Sequence, residues 1–197
     1  MTLVLSTRNA HKVREFAGLL EGLDVEPLPD GIELPPETGD TFAENALGKA
    51  RAAAEATGGP AIADDSGVES AALGGAPGVR SARFAGEGAS DEENLALLLR
   101  EAPAGSALRY VCVVAYVDGD VERLFEGDCT GTLAAEPRGS GGFGYDPAFL
   151  PDDVPGGRTM AELSPQEKDA ISHRGRAARE LLAWLAGDRS RGTASAG

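Results

Sequence analysis

Lysine is scarce in this chain. Of its 18 basic residues, fifteen are arginines and only Lys12, Lys49 and Lys168 are lysines. A compact ammonium rather than a planar guanidinium therefore marks three positions. Lys12 and Lys168 fall inside the densest motifs, whereas Lys49 is equally compatible with chance. Cysteine is nearly absent too. Cys112 and Cys129 form no CxxC pair, which excludes a disulfide framework and a thiolate zinc site and fits a reducing, cytoplasmic setting. No long apolar run exists. The longest is Tyr110–Val117, far short of the ~18 residues a membrane-spanning helix needs. Before Arg8 the N-terminus offers only Leu3–Leu5, so no signal peptide and no membrane partner are expected. Positive charge is deficient overall: the net charge is −14. That balance makes a nucleic-acid polymer a poor partner but leaves room for a small anion held by a few converging basic groups.

Aromatic residues make up 5% of the chain, yet two of them sit in its most informative stretch, Gly139-Ser140-Gly141-Gly142-Phe143-Gly144-Tyr145-Asp146-Pro147. Glycines free the backbone of side chains and open angles closed to other residues. Exposed rings beside bare N–H and C=O groups suit a flat ligand such as a nucleobase, stacked on a ring and read along its edge. The alternative is a tight turn with Phe143 and Tyr145 in the core.

The remaining pattern alternates strands and helices, as in an α/β protein. Thr2–Ser6 and Asp24–Leu28 read as strands around a helix from Asn9 to Glu21, with Val13, Phe16, Ala17 and Leu20 on one face. Thr41-Phe42-Ala43-Glu44 is a capping box opening a helix to Thr57, ended by Gly58-Gly59-Pro60. Ala61–Ala63 reads as a short strand leading into Asp64-Asp65-Ser66-Gly67. Gly74 to Gly88 is loop-rich. A second capping box at Ser90–Glu93 opens a helix to Glu101, and Ala107–Val117 and Val121–Leu133 read as long paired strands. Ser164-Pro165-Gln166-Glu167 starts a further helix, and a last one runs from His173 to Leu185 with Trp184 in the core. The length fits a single domain over residues 1–187, followed by a flexible tail at 188–197.

Three segments carry charge in patterns that suggest chemistry. Ser6 to Lys12 sits where a strand turns into a helix; free N–H groups there attract anions, and Lys12 adds a full charge. An ordinary strand–helix turn, with His11 at the surface, is the alternative. Asp64-Asp65, following a strand, offers paired carboxylates for Mg²⁺ and for taking a proton from an attacking water. Glu37 and Glu44 are further carboxylates for the same site, although Glu44 is also explained by its capping box. A solvated turn is the bland reading. Lys168 with Ser172-His173-Arg174 forms a basic patch that can hold a phosphate or a carbonyl, or simply a solvated helix end. Together these are the parts of a nucleoside triphosphate site, with Mg²⁺-assisted hydrolysis as the implied chemistry.

With these blocks assembled, the chain resembles the inosine triphosphate pyrophosphatase family from Leu3 to about Leu185. The similarity rests on Ser6-Thr7-Arg8-Asn9 with Lys12, Glu37-Thr38-Gly39, Thr41-Phe42-Ala43-Glu44-Asn45-Ala46, Ala63-Asp64-Asp65-Ser66-Gly67, Leu73-Gly74-Gly75-Ala76-Pro77-Gly78, Gly142-Phe143-Gly144-Tyr145-Asp146-Pro147 and Ser172-His173-Arg174. The resemblance implies an elongated α/β fold, a mixed β-sheet with flanking helices forming two lobes around a central cleft. It implies a homodimer and Mg²⁺ as cofactor. The expected reaction converts ITP, dITP or XTP to the monophosphate and pyrophosphate. Carried over, Thr7, Arg8, Asn9, Ala10, His11, Lys12 and Lys168 hold phosphates. Asp65 is the proton acceptor and metal ligand, and Ser66 touches substrate. Phe143, Gly144, Tyr145 and Asp146, with His173 and Arg174, read the base. Pro36 stands where many relatives carry an acid, which leaves open whether Glu37 supplies the second metal ligand. Two other readings compete: a pyrophosphatase of similar fold preferring pyrimidine triphosphates, and a non-catalytic nucleotide-binding regulator. The late Ser-His-Arg block argues against the first and the intact Asp pair against the second.

Overall fold

The computed structural model describes the backbone of residues 2–194 and the side chains of residues 2–187. Its centre is a mixed six-stranded sheet in the order β2-β1-β3-β4-β5-β6. Strand β1 (Thr2–Leu5) runs parallel to β2 (Asp24–Pro27) and to β3 (Ala61–Ser70). From β3 onward all pairings are antiparallel, through β4 (Ala107–Asp118) and β5 (Val121–Leu133) to β6 (Phe149–Pro151). The apolar run Tyr110–Val117 lies in β4 and is buried along its whole length, because helices cover both faces of the sheet there.

Helix α1 (Ala10–Leu19) follows β1, and helix α5 (His173–Ala194) closes the chain. They pack Phe16, Leu20, Ala177 and Leu181 onto one face of the sheet, against Leu3, Leu5, Ile62, Cys112 and Val114. Helix α2 (Phe42–Thr57) covers the opposite face, with Phe42, Ala46 and Ala50 against Ala63, Val111, Val113 and Ala115. The far end of the sheet has its own core. There Val68, Leu108, Tyr110 and Leu133 meet Leu95 and Leu98 of α3 (Asp91–Glu101) and the segment carrying Tyr145, Phe149 and Met160. The apolar packing thus divides along the sheet, as the two-lobed reading anticipates. A short helix α4 (Pro165–Ile171) leads into α5. Gly127 of β5 lets α5 approach closely, since a Cβ there would overlap the His173 carbonyl oxygen.

The architecture differs from the sequence reading in four places. Strand β3 continues through the acidic pair to Ser70 instead of stopping at Ala63. Its backbone finds a full-length partner in β4, which overrides the poor strand preference of Asp, Ser and Gly. Ala17 is exposed, leaving Phe16 and Leu20 as the buried face of α1. The Gly74–Gly88 loop holds a 3₁₀ segment, Gly78–Arg83. Helix α5 extends to Ala194 rather than Leu185, Gly187 being tolerated within it at a cost of about 1 kcal/mol. Of the expected tail, residues 195–197 lie outside the described residues.

Candidate active site

The acidic pair sits where the sheet parts. Strand β1 meets β3 only at Val4–Ala61 and Leu5–Ile62. Past Leu5 the chain turns into α1, while β3 runs on beside β4. Asp64 and Asp65 occupy the β3 positions just beyond this divergence, the kind of crevice where open α/β sheets bind ligands. They do not face the same way. Successive strand residues point to opposite faces, so Asp64 joins the α1/α5 side and Asp65 the α2 side. The expectation of two adjacent carboxylates acting as a pair is corrected by the continuation of β3.

Asp64 is fully buried among cations. Its Oδ2 accepts hydrogen bonds from Arg174 Nη2 at 2.9 Å and Nε at 3.2 Å, and pairs with Lys12 Nζ at 3.1 Å. Burial alone would raise this carboxyl; Lys12, Arg174 and Lys49 outweigh it and hold it well below the usual carboxylate range. Its Oδ1 has no hydrogen-bond partner among the described residues. Asp65 accepts from Asn45 Nδ2 at 2.9 Å and from the Ser66 N–H at 3.0 Å, with Lys49 Nζ at 3.9 Å. Burial, reinforced by the charge of Glu37, pushes the Asp65 carboxyl up. Glu37 lies on this same face, ion-paired to Lys49 and bonded through its carbonyl to Arg83 Nη2 at 3.0 Å. Burial raises Glu37, but Lys49, Lys12 and Arg83 more than reverse that and its carboxyl sits low. Lys49 also donates to the Asp64 carbonyl at 2.7 Å. One ammonium therefore ties two carboxylates and the strand backbone together.

Glu37 and Asp65 suit Mg²⁺. Both offer oxygen donors on one face, and Mg²⁺ usually takes one or two carboxylates and completes its shell with water and substrate phosphates. No cluster of three metal-ligating side chains occurs among the described residues. Glu44 is not part of this set. It is exposed, and its Oε2 accepts from the backbone N–H groups of Asp40 at 2.8 Å and Thr41 at 3.2 Å, completing the capping box.

The opening motif is more structural than its sequence suggests. Asn9 caps α1, its Oδ1 accepting from the N–H groups of His11 at 2.9 Å and Lys12 at 3.2 Å. Thr7 Oγ1 accepts from the Asn9 N–H at 3.2 Å. Arg8 turns away: its guanidinium donates to the carbonyls of Leu28, Pro29 and Ile32. The Arg8 side chain thus fastens the connection after β2 and is not placed to grip phosphate. Ala10 opens the helix. Lys12 is the motif's one cation aimed into the crevice. His11 is exposed, as expected, but its ring stacks on Phe143 with centroids 5.0 Å apart.

Across the crevice the late basic block and the glycine-rich loop come together. Asp146 is their hub. It accepts from Lys168 Nζ at 2.6 Å, the Phe143 N–H at 2.9 Å and Tyr110 Oη at 3.1 Å. Glycine is required at 142, where a Cβ would overlap the Asp146 carboxylate. Lys168 also pairs with Glu15 at 2.6 Å, and Glu15 binds Arg174 at 2.5 Å through its other oxygen. Arg174 further donates to Ser66 Oγ at 2.8 Å. His173 is buried and stacked on Tyr110 at 4.5 Å. Burial, with Arg174 and Lys168 nearby, pushes its imidazole well below the ordinary range, so the ring is neutral. Its Nδ1 has no partner among the described residues. A pocket of about 470 Å³, counting its open mouth, lies between these groups, lined by Ser66, Tyr110, Phe143, Lys168, His173 and Arg174. Its lining combines aromatic rings with charged and polar groups, which can stack on a flat ligand and bond to its edge. The two rings of the loop part company. Phe143 is half-exposed at the pocket, with Lys168 and Arg174 over its face. Tyr145 is a core residue, its hydroxyl donating to the Ser81 carbonyl at 2.7 Å. Gly144 is tied through its N–H to Asp91 at 2.9 Å.

Nothing in the sequence marked Glu15, Asn45, Asp91 or Tyr110 as site residues, and Lys49 was left open. Lysine scarcity was the available signal for Lys49. Asn45 lies within the Thr41–Ala46 segment with no signal of its own, and Glu15 and Tyr110 reach the site only through long-range folding.

The helix start carrying Lys12, the carboxylate face of Asp65 and Glu37 and the ring-lined pocket thus converge on one crevice of an α/β sheet. The Ham1 family model matches residues 3–184, and the chain belongs to that family. Its curated relatives include the dITP/XTP pyrophosphatase of Mycolicibacterium paratuberculosis, 49% identical over 93% of this chain and 95% of that one. The protein of the same name from Symbiobacterium thermophilum is 52% identical over 93% of this chain and 94% of its own. Among solved structures, a Ham1 protein from Coxiella burnetii superimposes with a TM-score of 0.84 at 42% identity, covering 95% of this chain and 99% of that one. The nucleoside-triphosphatase / dITP/XTP pyrophosphatase of Mycobacterium abscessus gives 0.72 at 43% identity, covering 92% and 99%.

Proposed function

We propose that this protein hydrolyses non-canonical purine nucleoside triphosphates (ITP, dITP and XTP) to the monophosphate and pyrophosphate, with Mg²⁺ as cofactor. The observation that carries this reading is the Asp65 carboxylate. It is buried, raised in pKa, oriented by Asn45 and Ser66, and placed beside Glu37. A carboxylate held in one orientation by two donors is placed to take a proton from a neighbouring water.

Lys12 takes phosphate oxygens at the helix start, moving from Asp64, which keeps its two bonds to Arg174. Lys168 serves the same polyanion from the opposite wall. Mg²⁺ held by Asp65 and Glu37 would supply charge neutralisation at the phosphate oxygens. Asp65 orients a water and accepts its proton as the water oxygen bonds to the α-phosphorus. The bond from that phosphorus to the bridging oxygen breaks, and pyrophosphate leaves with Lys12 beside it. Phe143 stacks on the base, while Asp146, His173 and Arg174 read its edge. A site that pairs with a 6-keto purine leaves unpaired groups against adenine, which is how it discriminates. The homodimer implied by the family resemblance and the cytoplasmic setting expected from the cysteine usage belong to the same proposal; sedimentation of the purified protein tests the dimer.

The test is product analysis. With Mg²⁺ and dITP, the expected products are dIMP and pyrophosphate in equal amounts. Release of orthophosphate with dIDP would overturn the assignment of the cleaved bond.

A further inference from the structure

Tyr110 touches both groups assigned to reading the base, yet comes from neither of their segments. It sits in the first half of β4, opposite Val68 and Cys129. Its hydroxyl donates to Asp146 Oδ1 at 3.1 Å. Its ring lies nearly flat against His173, with planes 10° apart. On its other side it stacks on Phe149 at 4.3 Å, which is completely buried. The ring is thus held between a core residue and a pocket residue.

We propose that Tyr110 is a positioning residue for purine discrimination, fixing Asp146 through its hydroxyl and His173 through its ring so that both present one rigid edge to the base. This rests on the base-reading role proposed above for Asp146 and His173. Asp146 has two other donors, Lys168 and the Phe143 N–H, both engaging Oδ2. Tyr110 alone holds Oδ1 among the described residues and so sets the rotation of the carboxylate plane. The hydroxyl is an obligate donor, because burial and the charge of Asp146 keep the phenol protonated. Without it the carboxylate can turn about its remaining anchor, and its match to a 6-keto purine loosens.

Tyr110→Phe keeps the stack and removes the anchor. The quantity to measure is the ratio of kcat/KM for ITP to that for ATP, in the wild type, Tyr110→Phe, Asp146→Asn and the double variant, with thermal denaturation of each. The expected result is a ratio lowered about five- to twentyfold in Tyr110→Phe, with no further fall when it is added to Asp146→Asn, since one residue acts through the other. A changed ratio in Asp146→Asn with an unchanged ratio in Tyr110→Phe overturns the role of Tyr110 alone. So does a full additional loss in the double variant. An unchanged ratio in Asp146→Asn overturns the base-reading assignment, and the Tyr110 role with it.

Discussion

Replacing Lys49 by Met should separate the two tasks its ammonium performs. Lys49 stands 3.9 Å from Asp65 Oδ1, is ion-paired to Glu37, and donates to the Asp64 carbonyl at 2.7 Å. A charge pair at that separation is worth about 4 kcal/mol at an effective dielectric of 20 and about 1 kcal/mol in water. The Glu37 side chain is 30% exposed, so water takes over part of the lost interaction there. Removing one partner of a buried pair costs about 3–5 kcal/mol; with solvent reaching Glu37, the net destabilisation should be about 1–3 kcal/mol. Urea denaturation at pH 7 reads it directly. Met also removes a positive charge that competes with a metal for the two carboxylates. Mg²⁺ should therefore stabilise Lys49→Met more than the wild type, by binding linkage, even as turnover falls. Equal stabilisation of both proteins by Mg²⁺ would refute the placement of the metal between Glu37 and Asp65.

Two further outcomes follow from the same geometry. His173 has a folded pKa depressed by burial, so protonation favours the unfolded chain; stability is present above the unfolded value of about 6.5 and falls below it, by up to about 1.4 kcal/mol per pH unit. Thermal denaturation from pH 7 to pH 5 should show that fall in the wild type and a shallower one in His173→Gln. Lys12→Ala should lower turnover of ITP and GTP by similar factors, about ten- to a hundredfold for a lost charged hydrogen bond; a loss confined to one base would show that Lys12 does not act on phosphate alone.

Local chemistry was the most legible part of this chain. The boxes Thr41–Glu44, Ser90–Glu93 and Ser164–Glu167 all close as capping boxes, because the signal and the structure lie within four residues of each other. The strand–helix turn at Asn9 and the hairpin between β4 and β5 were legible for the same reason. The acidic pair was found but its geometry was not. Strand β3 persists through Asp64, Asp65, Ser66 and Gly67 because β4 pairs with all of it, and only that long-range pairing sends the two carboxylates to opposite faces. Arg8 illustrates a second limit, since its fork meets carbonyls twenty or more residues away. Glu15 illustrates it further: from the middle of α1 it bridges Lys168 and Arg174, a junction that appears only once α1 meets the α4–α5 corner.

The most direct test of the account is pyrophosphate release from ITP by Asp65→Asn in the presence of Mg²⁺. Asn keeps the size of the side chain and, through its Oδ1, the bond to the Ser66 N–H, while removing the charge and giving up the bond from Asn45. The account predicts a fall in turnover of at least about a hundredfold, the scale of a positioned acid–base group, with the fold retained and stability lowered by no more than about 1–3 kcal/mol, the cost of one buried hydrogen bond. Near-normal turnover would contradict it, by placing both the metal and the proton acceptor elsewhere in the crevice.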